Sequence, residues 1–264
     1  MVTVLDSPVS YYLPFDDERL FLNPYIGKKI SLHYRAEINC VACGRKTNKS
    51  FSQGYCYPCF KSLARCDMCI MKPETCHYFE GTCREPDWGK EFCLKDHVVY
   101  LANSSGVKVG ITRGTQIPTR WIDQGATQAL PVFSVANRLI SGKIEMAIKK
   151  HVSDRTDWRK MLKGISDEVD LVEQRDMLLS MADNDLKLIM EEVGVENILL
   201  LSDALPVSIK YPVEHFPDKV KSFNFDKTEI VEGILQGVKG QYLMLDTGVL
   251  NIRKFGGYLV DFES

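Results

Sequence analysis

Two cysteine pairs, Cys40-Val-Ala-Cys43 and Cys56-Tyr-Pro-Cys59, stand twelve residues apart, and no other feature restricts the fold of this chain so tightly. Two residues between cysteines form a tight turn that aims both sulfurs at one point, and a second such turn completes a tetrahedral thiolate set. Gly44 and Gly54 supply the backbone freedom these turns need. A redox CxxC calls for one pair on a βαβ unit, so the doubled pattern points instead to a structural metal, zinc first.

Nine cysteines are an odd count, and a reducing compartment does not keep structural disulfides, so metal ligation is their natural use. Beyond the first four stand Cys66, Cys69, Cys76, Cys83 and Cys93, with His77 and His97 nearby. Cys66-Asp-Met-Cys69 is a third knuckle, and six-residue gaps lead to Cys76 and then to Cys83. Cys66, Cys69, Cys76 and Cys83 are therefore the simplest second set, with Cys93 able to replace either late member. Spacing alone leaves zinc and an iron-sulfur cluster both open here, as it does the plainer reading of some as buried cysteines. The opening MVTVLDSPVS lacks a basic segment followed by an apolar run. No stretch approaches the roughly 18 apolar residues of a membrane span. A cytoplasmic location without a membrane partner is expected.

At 264 residues and 45% hydrophobic content the chain can bury a full core. Its net charge of -2 hides a split. Residues 97 to 164 carry eleven Lys and Arg against four acids, a net +7, and residues 165 to 203 carry eleven acids against Arg175 and Lys187, a net -9. A basic module followed by an acidic one suggests a polyanionic partner; the bland alternative is two surfaces attracting each other.

In the basic module, His97 to Ala102 and Val107 to Thr112 flank an Asn/Ser/Gly turn and predict a β-hairpin. Pro118 suits the first turn of a helix containing Arg120 and Trp121. A strand is expected at Leu130 to Val135, and a helix from about Arg138 to Val152 with Ile140, Ile144, Ala147 and Ile148 on its apolar side. Glu145 sits at the border of that side. A carboxylate there needs a partner, either Lys149 one turn later or a metal or proton.

Hairpin with Tyr on its first strand, helix with Arg, strand, then helix with Glu: this order resembles the GIY-YIG nuclease domain. Tyr100 falls at the first Tyr of that motif, Val109-Gly110 at its Ile-Gly, Arg120 at its Arg and Glu145 at its Glu. Lys108 stands where the second Tyr would be. The resemblance implies that Glu145 holds one divalent ion, Mg²⁺ or Mn²⁺, that Arg120 stabilises phosphate charge and that Tyr100 helps activate water. Over its whole length the chain also resembles a bacterial family of unknown function, through CDMCIMKPETCHYFEGTCREPDWG, VVYLANSSGVKVGITR and RWIDQGA. That likeness implies no activity, but it implies that the cysteine segment and the hairpin belong together.

Further on, Ser166 can cap a helix whose first turn carries Asp167 and Glu168. Helical spacing from Val169 to Ile189 predicts two helices broken near Ala182-Asp-Asn-Asp185, able to pack beside the basic module. From Thr228 the pattern turns to strands at Glu229 to Leu235, Gln241 to Asp246 and Val249 to Arg253. The fold class is α+β: a small mixed sheet with helices, preceded by the cysteine-rich segment and followed by helices and a small C-terminal barrel or curled sheet. The expected division is an N-terminal segment 1–38 with a strand at Lys29 to Tyr34, a metal-binding segment 39–96, a basic domain 97–163, an acidic helical segment 164–203 and a β-rich domain 204–264.

Three functions compete. One is a zinc-containing nucleic-acid-binding protein that cleaves phosphodiesters with Tyr100, Arg120 and Glu145. Another is a non-catalytic binding module in which Lys108, Arg113, Arg120 and Lys149 grip phosphates of DNA or RNA. The third is a metal or redox sensor using the five later cysteines.

Overall fold

A computed structural model describes residues 1–15 and 17–264. The chain opens with three short strands that the sequence reading did not anticipate, β1 (Val2–Val4), β2 (Ser10–Phe15) and β3 (Glu18–Phe21), paired antiparallel in that order. Tyr11 of β2 is fully buried, and Asn23 staples this sheet by donating to the Val9 carbonyl and accepting from the Tyr11 amide. Next comes β4 (Lys29–Ile38), four residues longer than expected, with Ile30, Leu32 and Ile38 buried. The cysteine segment follows with two short helices, α1 (Tyr57–Ser62) and α2 (Pro86–Phe92), each with Pro in its first turn.

The hairpin forms as expected from β5 (His97–Asn103) and β6 (Val107–Arg113), with Tyr100 opposite Gly110. Then come α3 (Thr119–Asp123), β7 (Gln128–Val135) and α4 (Arg138–Ile148), the last ending four residues before the expected end. The helices α5 (Trp158–Leu162) and α6 (Leu171–Val193) lead to β8 (Ile198–Leu200) and β9 (Val207–Ser208). This sheet has the order β6-β5-β7-β8, with β9 also on β7, and its strand pairings are antiparallel throughout.

Every residue of β5 is buried because both faces of the strand are covered. Val99 and Leu101 pack on α4 and α6, while Val98, Tyr100 and Ala102 face a second core shared with the terminal strands. Those strands are β10 (Ile230–Lys239), β11 (Tyr242–Leu245), β12 (Gly248–Asn251) and β13 (Tyr258–Glu263), and they join β4 in a five-stranded sheet of order β12-β11-β10-β4-β13. The sheet is open, with irregular register in β10 and β13, and does not close into a barrel. Residues from the two ends of the chain thus make one layer.

The acidic stretch departs from its reading. α6 is one 23-residue helix with no break at Ala182 to Asp185, because that segment holds neither Gly nor Pro and Ala182 is buried on the packed face. Its cap is Asp170 rather than Ser166: the carboxylate accepts from the amides of Val172 and Glu173. α6 packs along α4, and Lys143 pairs with Glu192 while Lys150 meets Asp185 at 2.7 Å. Among the described residues, no helix is long and apolar enough to cross a membrane.

Candidate metal centre and basic groove

The first four cysteines come together. The sulfurs of Cys40, Cys43, Cys56 and Cys59 all lie within 4.8 Å of one another, with Cys43 and Cys56 at 3.8 Å. Four sulfurs bound at about 2.3 Å to one tetrahedral ion stand about 3.8 Å apart, so this set can hold a metal such as zinc. The turns are built as the spacing requires: the Gly44 amide donates to the Cys40 carbonyl at 2.8 Å, and the Val41 amide donates across to Gly54 at 2.9 Å. Burial pushes the Cys40 thiol up, but the N–H groups of Cys56, Cys43 and Ala42 outweigh it and bring the pKa to about 6. The knuckle rests on the terminal sheet, the Asn39 amide donating to Gly257 at 2.7 Å.

The later cysteines group differently from the simplest set. Cys69, Cys76, Cys83 and Cys93 line one small cavity with Ile70, Tyr78 and Trp88, and Cys66 is not part of its wall. Asp67, Cys69 and His77 also approach within 4.8 Å, but the Asp67 carboxylate already accepts from Arg84 at 2.7 Å and from the Met68 amide at 2.6 Å. His97 lies elsewhere, buried in β5 with Nδ1 at 2.7 Å from the Lys95 carbonyl; burial pushes its pKa down to about 4.

Beside this segment runs a groove of about 380 Å³, floored by β6 and walled by Ile70, Met71 and Pro73, α3 and α4. Lys108, Arg113, Arg120, Arg138 and Arg253 line it, together with Glu145, Asp154 and Asp123. Of the expected residues, Lys108, Arg113, Arg120 and Glu145 share this groove. Two do not line it. Lys149 pairs with Asp154 at 3.5 Å, which corrects the expected Glu145–Lys149 pair. Glu145 is left without an ion pair among the described residues, and burial, with Asp154 adding to it, pushes its carboxyl up to about 7. Tyr100 stands on β5 opposite Gly110, fully buried, with a hydroxyl that has no hydrogen-bond partner among the described residues. Gly110 makes room for it: a Cβ there would lie 2.8 Å from the Tyr100 ring and hydroxyl.

Lys108 is 5% exposed and has no ion pair among the described residues; burial, then Arg120, draws its pKa down to about 8. Arg113 lies over the Phe92 ring at 4.7 Å, and Arg138 donates to the Ile70 carbonyl at 2.6 Å. Arg253 is neutralised by Asp123 at 3.2 Å. Asp123, Arg138, Asp154 and Arg253 escaped the sequence reading as groove residues. Only Arg138 left a signal: a cation in the first turn of a helix opposes the helix dipole and needs another partner. A larger cavity of about 600 Å³, between the first knuckle and the terminal strands, is lined mostly by apolar side chains, with Asp123 and Arg253 at its edge.

The chain is thus a mixed α+β protein with a tetracysteine knuckle that could hold a metal ion. Residues 27–260 match the family described as protein of unknown function (DUF2797), and the chain belongs to that family. No curated protein and no solved structure matches it.

Proposed function

We propose that this protein binds the sugar-phosphate backbone of a nucleic acid in the groove, with zinc at Cys40, Cys43, Cys56 and Cys59 as a scaffold. The observation that carries this is the charge arrangement: Lys108, Arg113, Arg120 and Arg138 converge without acid partners among the described residues. A nearly buried, unpaired Lys108 costs stability, and such costs concentrate where a ligand uses the group. Phosphate oxygens are the ligand that guanidinium and ammonium groups hold best. α6 occupies none of this groove; its acids pair instead with Lys143 on α4 and with Lys150 just past its end.

Glu145 favours a second reading, metal-dependent cleavage. It faces the groove without an ion pair among the described residues, sharing that groove with Arg120 and Asp154, and together with the order hairpin, helix, strand, helix it supports the likeness to GIY-YIG nucleases. In that reading Glu145 holds Mg²⁺ or Mn²⁺ and Arg120 clamps the phosphate. The buried Tyr100 and the Lys108 in place of a second Tyr favour binding over cleavage.

The test incubates wild type, Arg120→Ala and Glu145→Ala with branched, single-stranded and duplex DNA and RNA in Mg²⁺ or Mn²⁺. Binding is expected to weaken with salt, and Arg120→Ala should lower the slope of log affinity against log salt by about 1. Unchanged affinity and slope in Arg120→Ala would remove the groove from the reading. Cleavage by wild type that Glu145→Ala loses would raise the nuclease reading above the binding one, and equal cleavage by both would end the role given to Glu145.

A further inference from the structure

The basic groove does not end at its own walls. Asp123 and Arg253 line it and also line the cavity of about 600 Å³ beside the first knuckle, so the two adjoin at this ion pair. That larger cavity in turn shares Gln53, Phe255 and Tyr258 with a third of about 400 Å³, to which Ser222, Lys227 and Lys254 contribute. Lys227 and Lys254 are exposed and have no ion pair among the described residues. Asp226, on the same wall, accepts from the Tyr258 hydroxyl at 2.8 Å. The three form one continuous track, with cationic side chains at both ends and aromatic rings between them.

Phe15, Tyr55, Phe225, Phe255 and Tyr258 line the middle cavity. The rings hold one another in place: Phe255 stands edge-to-face with Phe225 at 4.8 Å and with Tyr258 at 5.2 Å. A polar network borders them. Arg253 Nε donates to Gln53 Oε1 at 3.0 Å and its Nη1 to Asp123 at 3.2 Å, while Gln241 Nε2 donates to the other Asp123 oxygen at 2.6 Å. Ser52 and Gln53 hold φ of +45° and +68°, left-handed backbone that residues with side chains rarely adopt and that persists where the surroundings impose it. Both stand between the two cysteine pairs, so the knuckle carries this wall of the cavity.

Fixed rings beside amide and guanidinium groups, in a cavity of this size, suit a heterocyclic base, because every base has a π-face to stack and an edge of donors and acceptors. A base inside a duplex has both faces stacked and cannot enter such a cavity. We infer that the ligand is a single-stranded nucleic acid, its phosphates held in the basic groove and by Lys227 and Lys254, with an unpaired base seated between them in the aromatic cavity. This rests on the reading of the groove as a phosphate site and adds the class of strand that the site takes.

Binding of the full chain is measured with a single strand of about twelve nucleotides, and the tighter of its DNA and RNA forms is compared with the same strand lacking its bases and with a blunt duplex. Stacking of one base contributes about 5- to 150-fold, so the intact strand should bind tighter than the abasic one by at least about tenfold, and tighter than the duplex. Tyr258→Ala should weaken the intact strand by a factor in that range and leave the abasic strand unchanged. Lys227→Ala with Lys254→Ala should lower the slope of log affinity against log salt by about 1.4 and preserve the ratio of intact to abasic affinity. Equal affinities for intact and abasic strands, both still weakened by Arg120→Ala, would overturn the base site and leave the groove standing. A duplex bound as tightly as the single strand would do the same, and no binding of any strand would overturn both readings. These comparisons use the wild type, so they decide the matter whether or not Tyr258→Ala folds.

Discussion

Lys108 sits near the start of β6, buried, and lines the groove without an acid partner among the described residues. Its pKa falls from an ordinary 10.5 to about 8, so the folded protein binds fewer protons than the unfolded chain between those values. Stability therefore rises as pH climbs through that window, and the cost is fully present below about pH 8. Lys108→Met should stabilise the protein by about 1–3 kcal/mol at pH 7, with the gain shrinking toward pH 10.5, as denaturant unfolding would measure. The same change should weaken nucleic-acid binding. Glu145 behaves in the opposite sense. Its pKa is raised to about 7, so stability present below its ordinary 4.5 is lost as pH rises through 7. Glu145→Gln should raise the melting temperature at pH 8 and leave it unchanged near pH 4. If Glu145 holds Mn²⁺, the proton competes with the ion, and affinity should climb roughly tenfold per pH unit up to about pH 7.

Helix α4 joins the cysteine segment to the basic module through Gly142. A Cβ there would lie 2.5 Å from the Glu74 amide nitrogen and 2.7 Å from the Pro73 carbonyl carbon, which is backbone that cannot rotate away. Gly to Ala within a helix ordinarily stabilises, by about 0.5–1 kcal/mol. Gly142→Ala should do the reverse, destabilising by about 1–3 kcal/mol through overpacking; a stabilised variant in thermal unfolding would contradict this packing. Much of this element level was legible beforehand. The hairpin, β7 and α4 follow from local signals, period-2 apolar runs around a Gly turn and apolar residues at helical spacing. β1 to β3 were missed because short aromatic strands carry no periodicity, and β13 because its residues are only half-buried. Spacing offers Cys66, Cys69, Cys76 and Cys83 as the simplest second set, whereas the small cavity is lined by Cys69, Cys76, Cys83 and Cys93, because α2 carries Cys93 at its C-terminal end to that wall. Arg253 reached the groove through the packing of the terminal sheet, a contact that sequence separation conceals.

At the scale of the molecule, the first knuckle rests against the C-terminal segment. A Cβ at Gly54 would lie 3.2 Å from the Gly256 carbonyl oxygen, and Gly257 takes a φ of +80° as it passes against Asn39. Zinc removal should therefore loosen residues 39 to 60 and the edge strand β13 together. In hydrogen exchange after chelation or in Cys43→Ser, both should lose protection while the β5 to β7 sheet keeps it; protection lost evenly would show that the knuckle supports the whole fold. The pairing of β4 with β10, His33 against Ile230, also sets an order of events during synthesis. β4 leaves the ribosome early, with Ile30 and Leu32 ready for burial, but both strands that flank it are made last. For most of translation it is an apolar strand with two open edges, and closing so long a loop is slow. A nascent chain halted before residue 230 would carry Cys40, Cys43, Cys56 and Cys59 but not the strands on which their knuckle rests, so the four thiols emerge from the ribosome before their support does.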